Sequence, residues 1–190
     1  SKKLILCLAL LTIGMGVLGC MPPPFYGTAQ IEPSFHWDAG VAVGGGGFMG
    51  GVSTELRYGF NEYVQWHARA GVDTYVDTYI GGFLVVPRIG MGIQTALPLE
   101  VVTPAFRLEA AGIWPLSINP ALLLGIGRNE TATLGGRLRY WYDDGGGGFL
   151  LFARELFVTL HLTSRWSVFV SGAKGDDLQW ITLGVGYKIK

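Results

Sequence analysis

From Phe35 onward, apolar and polar residues alternate with a period of two, in segments of about 9 to 14 residues bounded by turn-forming residues. Val64, Trp66, Ala68, Ala70 and Val72 share one parity, against Gln65, His67, Arg69, Gly71 and Asp73 on the other. The same division separates Val52, Thr54, Leu56 and Tyr58 from Ser53, Glu55 and Arg57, and Leu134, Gly136, Leu138 and Tyr140 from Thr133, Gly135, Arg137 and Arg139. Near the end, Ile181, Leu183, Val185, Tyr187 and Ile189 oppose Thr182, Gly184, Gly186 and Lys188. Successive side chains of a strand point to opposite faces, so each segment is a strand with one apolar and one polar face. Ten strands are expected, over 35–45, 48–58, 63–73, 82–97, 100–113, 116–127, 131–143, 149–163, 166–174 and 178–189, with eight as the alternative count. Nothing longer than one strand carries a helical period. Short links such as Leu97-Pro98-Leu99-Glu100 and Gly127-Arg128-Asn129-Glu130 alternate with Gly-rich ones such as Gly44 to Gly51 and Asp143 to Gly148, which sets an up-and-down order.

Alternation does not say which face is outside. A soluble lipocalin-like carrier turns its apolar face onto a ligand and its polar face to water, whereas a transmembrane barrel does the reverse. Two features favour the reverse. The polar face is rich in Gly, Ala, Ser and Arg and poor in the Lys and Glu of a water-facing sheet, and small residues suit a narrow lumen. Trp37, Tyr58, Trp66, Trp114, Tyr140, Tyr142, Trp166 and Tyr187 fall mostly toward segment ends, where aromatic girdles meet membrane interfaces. The expected fold class is all-β, an up-and-down antiparallel transmembrane β-barrel of about ten strands over residues 35–190.

Composition agrees. Charged residues are 15% of the chain against about 25% in soluble domains, and Gly is 30 of 190 against a norm of about 7%. Without Lys2 and Lys3 there are twelve Lys and Arg against fourteen Asp and Glu, so nucleic-acid binding has no electrostatic footprint. The closing Thr182-Leu183-Gly184-Val185-Gly186-Tyr187-Lys188-Ile189 resembles the C-terminal insertion signal of outer-membrane barrels, although Lys190 follows where such proteins often end on an aromatic residue. Across essentially its whole mature length the chain resembles small outer-membrane barrels of the OmpA or OmpX type. That resemblance implies the outer membrane of a Gram-negative-type cell and its lipids as partners, and it names no protein partner.

Lys2 and Lys3 precede the apolar run Leu4 to Leu18, which reads as a signal peptide over residues 1–19. The run stops at Val17-Leu18-Gly19-Cys20, which resembles a bacterial lipobox and implies a lipid on Cys20. Residues 20–34, with Pro22 to Pro24 and Pro33, then read as an extended tether. The alternative is an ordinary secretion signal cut after Gly27-Thr28-Ala29. Cys7 is removed on either reading, which leaves no pair for an internal disulfide.

With the polar face inward, the lumen receives an ionic network of Asp38, Glu55, Arg57, His67, Arg69, Arg88, Arg107, Glu109, Arg137, Arg139 and Glu155, with His36, Asp73, His161 and Lys188 beside it. Leu56 opposite Trp66 would set Glu55 opposite His67 with Arg69 diagonal to it. A barrel of this size is about wide enough for side chains to fill, so paired charges are expected to plug the lumen. Arg154 falls among Leu156, Val158 and Leu160 on the apolar parity, for which a bulge near Gly148 or snorkelling to the outer rim is the expected explanation. The three His lie on separate strands, so no metal site or cofactor is expected. His161-Leu162-Thr163 with the later Asp176 is distantly similar to the His-x-Ser and carboxylate of the lipid A deacylase family, with Thr in place of Ser and Asp in place of Glu. The leading expectation is a non-enzymatic barrel with a structural or interaction role in the envelope. A narrow pore for small solutes, a lipid-modifying hydrolase and a soluble carrier are the alternatives.

Overall fold

The computed structural model describes residues 27–45, 49–77, 82–112, 116–143, 148–175 and 179–189. The signal-like run, Cys20, Trp114 and Asp176 lie outside them. Ten strands follow in chain order: β1 Phe35–Gly45, β2 Met49–Gly59, β3 Val64–Asp77, β4 Gly82–Ala96, β5 Val102–Ala111, β6 Ser117–Ile126, β7 Ala132–Asp143, β8 Gly148–His161, β9 Trp166–Gly175 and β10 Gln179–Lys188. Each pairs antiparallel with the next, and β10 returns to β1 with Asp38 opposite Lys188 and Gly45 opposite Ile181. The sheet is therefore closed and leaves no edge for another chain to extend. Traced once around, the register comes back to β1 about 12 residues further along, which for ten strands means a tilt of about 40° to the barrel axis.

The polar parity points inward. Glu55, His67, Gln94 and Thr133 have no exposed surface, whereas Leu122 and Leu156 on the other parity are 68% and 74% exposed. This is the inverse of a soluble carrier, and the barrel holds its charges in the lumen while presenting aliphatic residues outward. The start of β1 and the end of β10 share one end of the barrel, called here the near end, with the turns after β2, β4, β6 and β8. Trp166 packs on Tyr187 and Tyr58 on Phe60 near that end, and Tyr142 packs on Phe149 near the far one.

The β2–β3 register differs from the expected one by two residues. Tyr58 faces Trp66, Glu55 faces Arg69 and Arg57 faces His67. The cause is the turn, where the Asn61 side-chain oxygen accepts from the Tyr63 and Val64 amides and Phe60 N donates to the Val64 carbonyl. This centres the link one residue further along the chain than the pattern alone suggests, over residues 60–63, and since the resulting shift of two in register keeps parity, every side chain stays on its face. The expected bulge near Gly148 falls instead opposite the Arg139–Tyr140 step, where Arg139 pairs with Ala153 and Tyr140 with Leu151, skipping Phe152. It lies beyond Arg154 toward the far end and leaves that side chain outward.

Candidate functional site

The lumen is crossed by ion pairs between strands that are not neighbours. Glu55 of β2 accepts from Arg107 of β5 at 2.6 and 3.2 Å, and Arg69 of β3 pairs with Glu109 of β5 and lies 3.6 Å from Glu55. Arg57 lies 2.5 Å from Asp38 and 3.9 Å from Glu55, and His67 Nε2 is 3.4 Å from Glu109. Three guanidiniums thus share three carboxylates, so the buried charge is balanced within the cluster. The intervening strand β4 is bare at this level. Gly92 stands between His67 and Glu109, and a β-carbon on it would meet His67 Cε1 at 2.8 Å and the backbone of β5. Elsewhere Arg137 donates to Glu155 at 2.5 and 3.0 Å, Arg139 to the same carboxylate at 3.1 Å, and Arg88 lies 2.5 Å from Asp73. These contacts join Asp38, Glu55, Arg57, His67, Arg69, Arg107 and Glu109 on one side of the lumen, with Arg137, Arg139 and Glu155, and Arg88 and Asp73, in further ion pairs.

Residues 27–34, read from sequence as the end of a tether, are held by the barrel. The chain runs from the start of β1 back into the near end of the lumen, where Ala29 is fully buried and Ile31 is 6% exposed. Glu130, in the β6–β7 turn, accepts from Ala29 N at 2.5 Å through one carboxylate oxygen and from Gln30 N at 2.7 Å through the other. Gln94 donates to the carbonyls of Thr28 and Ala29 at 2.8 and 3.1 Å, and Arg57 donates to Thr28 Oγ1 at 3.0 Å. Gly27 reaches the ionic cluster, since a β-carbon there would lie 2.8 Å from the Arg107 guanidinium. The gap left between Gly27, Arg69, Arg107, Arg137 and Phe157 is about 20 Å³, room for about one water molecule.

Glu130 went unnoticed in the sequence because it reads as a turn residue. Its backbone φ is 45°, a left-handed conformation that costs a non-glycine residue about 1–2 kcal/mol. The three hydrogen bonds its carboxylate accepts, the third from Thr133 Oγ1 at 2.6 Å, offset that strain. A carboxylate three residues after Gly127 and three before an inward Thr was the available signal. Between this latch and the near-end rim lies a polar vestibule of about 540 Å³, lined by His36, Arg57, Asn129, His161, Arg165 and Lys188 among others. At its mouth Lys188 donates to Glu32 at 3.0 and 3.2 Å. Burial would raise the Glu32 carboxyl, but the Lys188 hydrogen bond and charge, with His36 and Arg57 behind them, outweigh it and hold the group below its ordinary value.

His161 does not meet Thr163. Its Nε2 lies 2.9 Å from Thr133 Oγ1 and donates to it, because the Thr133 proton is already given to Glu130. Thr163 Oγ1 accepts from the Arg165 and Trp166 amides and shapes the β8–β9 turn. The described members of that sequence motif, His161 and Thr163, therefore serve separate hydrogen-bond systems.

With charge inside, aliphatic surface outside and the N-terminal segment docked in the lumen, the described residues form an all-β closed, up-and-down antiparallel barrel of ten strands. No family model matches the chain, and no curated protein matches it. Among solved structures it is similar in fold to the KdgM porin, at 10% identity and a TM-score of 0.47 over 82% of this chain and 99% of that one. An outer membrane channel from Pseudomonas putida F1 aligns at 8% identity and 0.49, over 87% and 99%. Ail, the attachment invasion locus protein of Yersinia pestis, aligns at 16% and 0.31, over 84% and 100%. At these identities the likeness is one of fold.

Proposed function

We propose that this protein is an outer-membrane β-barrel with a closed lumen, serving the structure or interactions of the cell envelope rather than the passage of solutes. The docking of residues 27–31 against Glu130, Gln94 and Arg57 carries this reading. A segment satisfied by buried side chains occupies the near end of the lumen, and the gap beyond it among the described residues is about 20 Å³, which supports a lumen filled by protein at that level. The apolar exterior supports the membrane location, since an exposed face of Leu, Ile and Val has a favourable environment only in hydrocarbon. The same contacts favour Cys20 over a cut after Ala29, because the later cut would discard Thr28 and Ala29, which the lumen is built to bind.

Four measurements test the reading. Heat-modifiable gel migration and flotation with vesicles are expected, and a Cys20→Ala variant should resist urea extraction from membranes because the barrel itself is embedded. Planar-bilayer recordings should show no discrete steps. Regular single-channel steps would overturn the closed lumen in favour of a narrow pore, and urea release of Cys20→Ala would overturn the embedded barrel.

A further inference from the structure

Among the described residues, the strands carry outward charged side chains at one cross-strand pair. Arg154 of β8 and Lys174 of β9 face each other, both outward and both exposed, and neither has an ion-pair partner among the described residues. Their height follows from the register. Phe35, Tyr58, Trp66, Ile93 and Leu108 lie on one hydrogen-bonded row that continues through β6 and β7 to Leu138, Arg154 and Lys174. With strands about 4.8 Å apart and tilted about 40°, each crossing climbs about 3 Å. Arg154 therefore stands about 20 Å above Phe35 and Lys174 about 24 Å, near the far margin of an apolar belt about 25 Å tall. An outward cation is tolerated at such a margin and costly at mid-belt.

Below the pair the wall is hollow. Gly136 of β7 and Gly172 of β9 leave space among Leu122, Leu138, Leu156 and Ile181, forming a groove of about 1110 Å³ that ends at Arg154 and Lys174. A β-carbon at Gly172 would meet nothing within 4 Å. A second hollow on the wall, about 450 Å³ beside Val43, Val170 and Val185, has no charge at its head. Cations above a groove distinguish the β7–β10 sector from that one.

We infer that this groove binds a phosphate-bearing lipid, with the phosphate between Arg154 and Lys174 and an acyl chain in the hollow over Gly136 and Gly172. The inference rests on the membrane reading above. Cross-strand side chains start about 5 Å apart, close enough for both to reach one phosphate. The guanidinium presents a fork to two of its oxygens, while the ammonium supplies a compact charge. An uncharged lipid would fill the groove and leave the two cations at its head without a counter-charge.

Native mass spectrometry of the full chain in a non-ionic detergent, titrated separately with dimyristoyl phosphatidic acid and dimyristoylglycerol, tests this, since the two lipids differ by the phosphate. The expected result is one retained phosphatidic acid, favoured by about 30-fold, from two cations of about fivefold each. Arg154→Gln with Lys174→Gln should abolish the preference, and Gly172→Leu should weaken retention of both lipids, while each variant keeps heat-modifiable migration. Equal retention by the double variant and the parent overturns the site. A dimer that Gly172→Leu abolishes also overturns it, assigning the groove to a second copy. A parent that fails to float with phosphatidylcholine vesicles refutes the membrane reading and the site together, whereas one that floats without a phosphate preference refutes the site alone.

Discussion

Replacing Glu130 should release the N-terminal segment without unfolding the barrel. The carboxylate accepts from two backbone amides and one hydroxyl, at 2.5, 2.7 and 2.6 Å. Hydrogen bonds to a charged group contribute about 1.5–3 kcal/mol each in isolation. They are not additive here, because the half-buried Gln30 amide can turn to water and Thr133 keeps His161 as a neighbour. The Ala29 amide is the one that loses most, being fully buried. Glu130→Ala should therefore cost the docked state about 3 kcal/mol, which raises the undocked population by about 100-fold. Glu130→Gly should cost about 1 kcal/mol less, because glycine adopts the 45° φ without the steric penalty. The assay is the rate of maleimide labelling at an Ala29→Cys probe carried by parent and variants alike, in folded protein. A Glu130→Ala rate within about threefold of the parent would refute the latch, and a Glu130→Gly rate equal to that of Glu130→Ala would refute the strain argument.

Glu55→Ala leaves Arg57, Arg69 and Arg107 with one carboxylate fewer in a buried cluster, and should lower folded stability by about 3–5 kcal/mol, read as the urea midpoint of heat-modifiable migration. Gly92→Val should be comparably damaging, since its side chain would have to displace His67 and the β5 backbone, whereas Gly172→Val, facing open space, should leave the same midpoint unchanged. The Glu32–Lys188 pair should give a pH signature. A folded pKa held below the ordinary 4.5 stabilises the protein above that value and loses its contribution as pH falls through the folded value. The melting difference between parent and Glu32→Gln, worth about 0.5 kcal/mol for so exposed a pair, should be present at pH 7 and absent at pH 3, and a difference that grew on acidification would reverse the sign.

Parity made the strands legible before any coordinates. A period of two needs no tertiary information, because each residue's face depends only on its neighbours in the chain, so the ten segments and the two sets of residues sharing a face could be read directly, and the small-residue, Arg-rich make-up of the polar set then pointed it inward. The inward placement of Glu55, Arg107 and Glu155 and the outward placement of Arg154 follow from that same count. What parity cannot supply is a shift by two, which preserves every face. The β2–β3 pairing thus depended on Asn61 bonding its own turn, a detail of three-dimensional closure. Nor does it give contacts across the lumen. Glu55 meets Arg107 because closure brings β2 and β5 across from one another over the bare glycines of β4, and the barrel's circumference sets that distance.

The N-terminal segment marks the boundary most clearly. Residues 27–34 carry no alternation strong enough to assign, and their proline-rich neighbourhood reads as extended chain, whereas the segment bends at Ala29–Gln30 and again at Pro33–Ser34, where Ser34 N donates to the Glu32 carbonyl. Their place inside the barrel is determined by Glu130, about a hundred residues away in sequence, whose carboxylate meets two amides that no sheet satisfies. Local order could specify strands and faces because those are properties of consecutive residues. The docked segment and the outer groove required the closed sheet, because each is made of groups that only its curvature brings together.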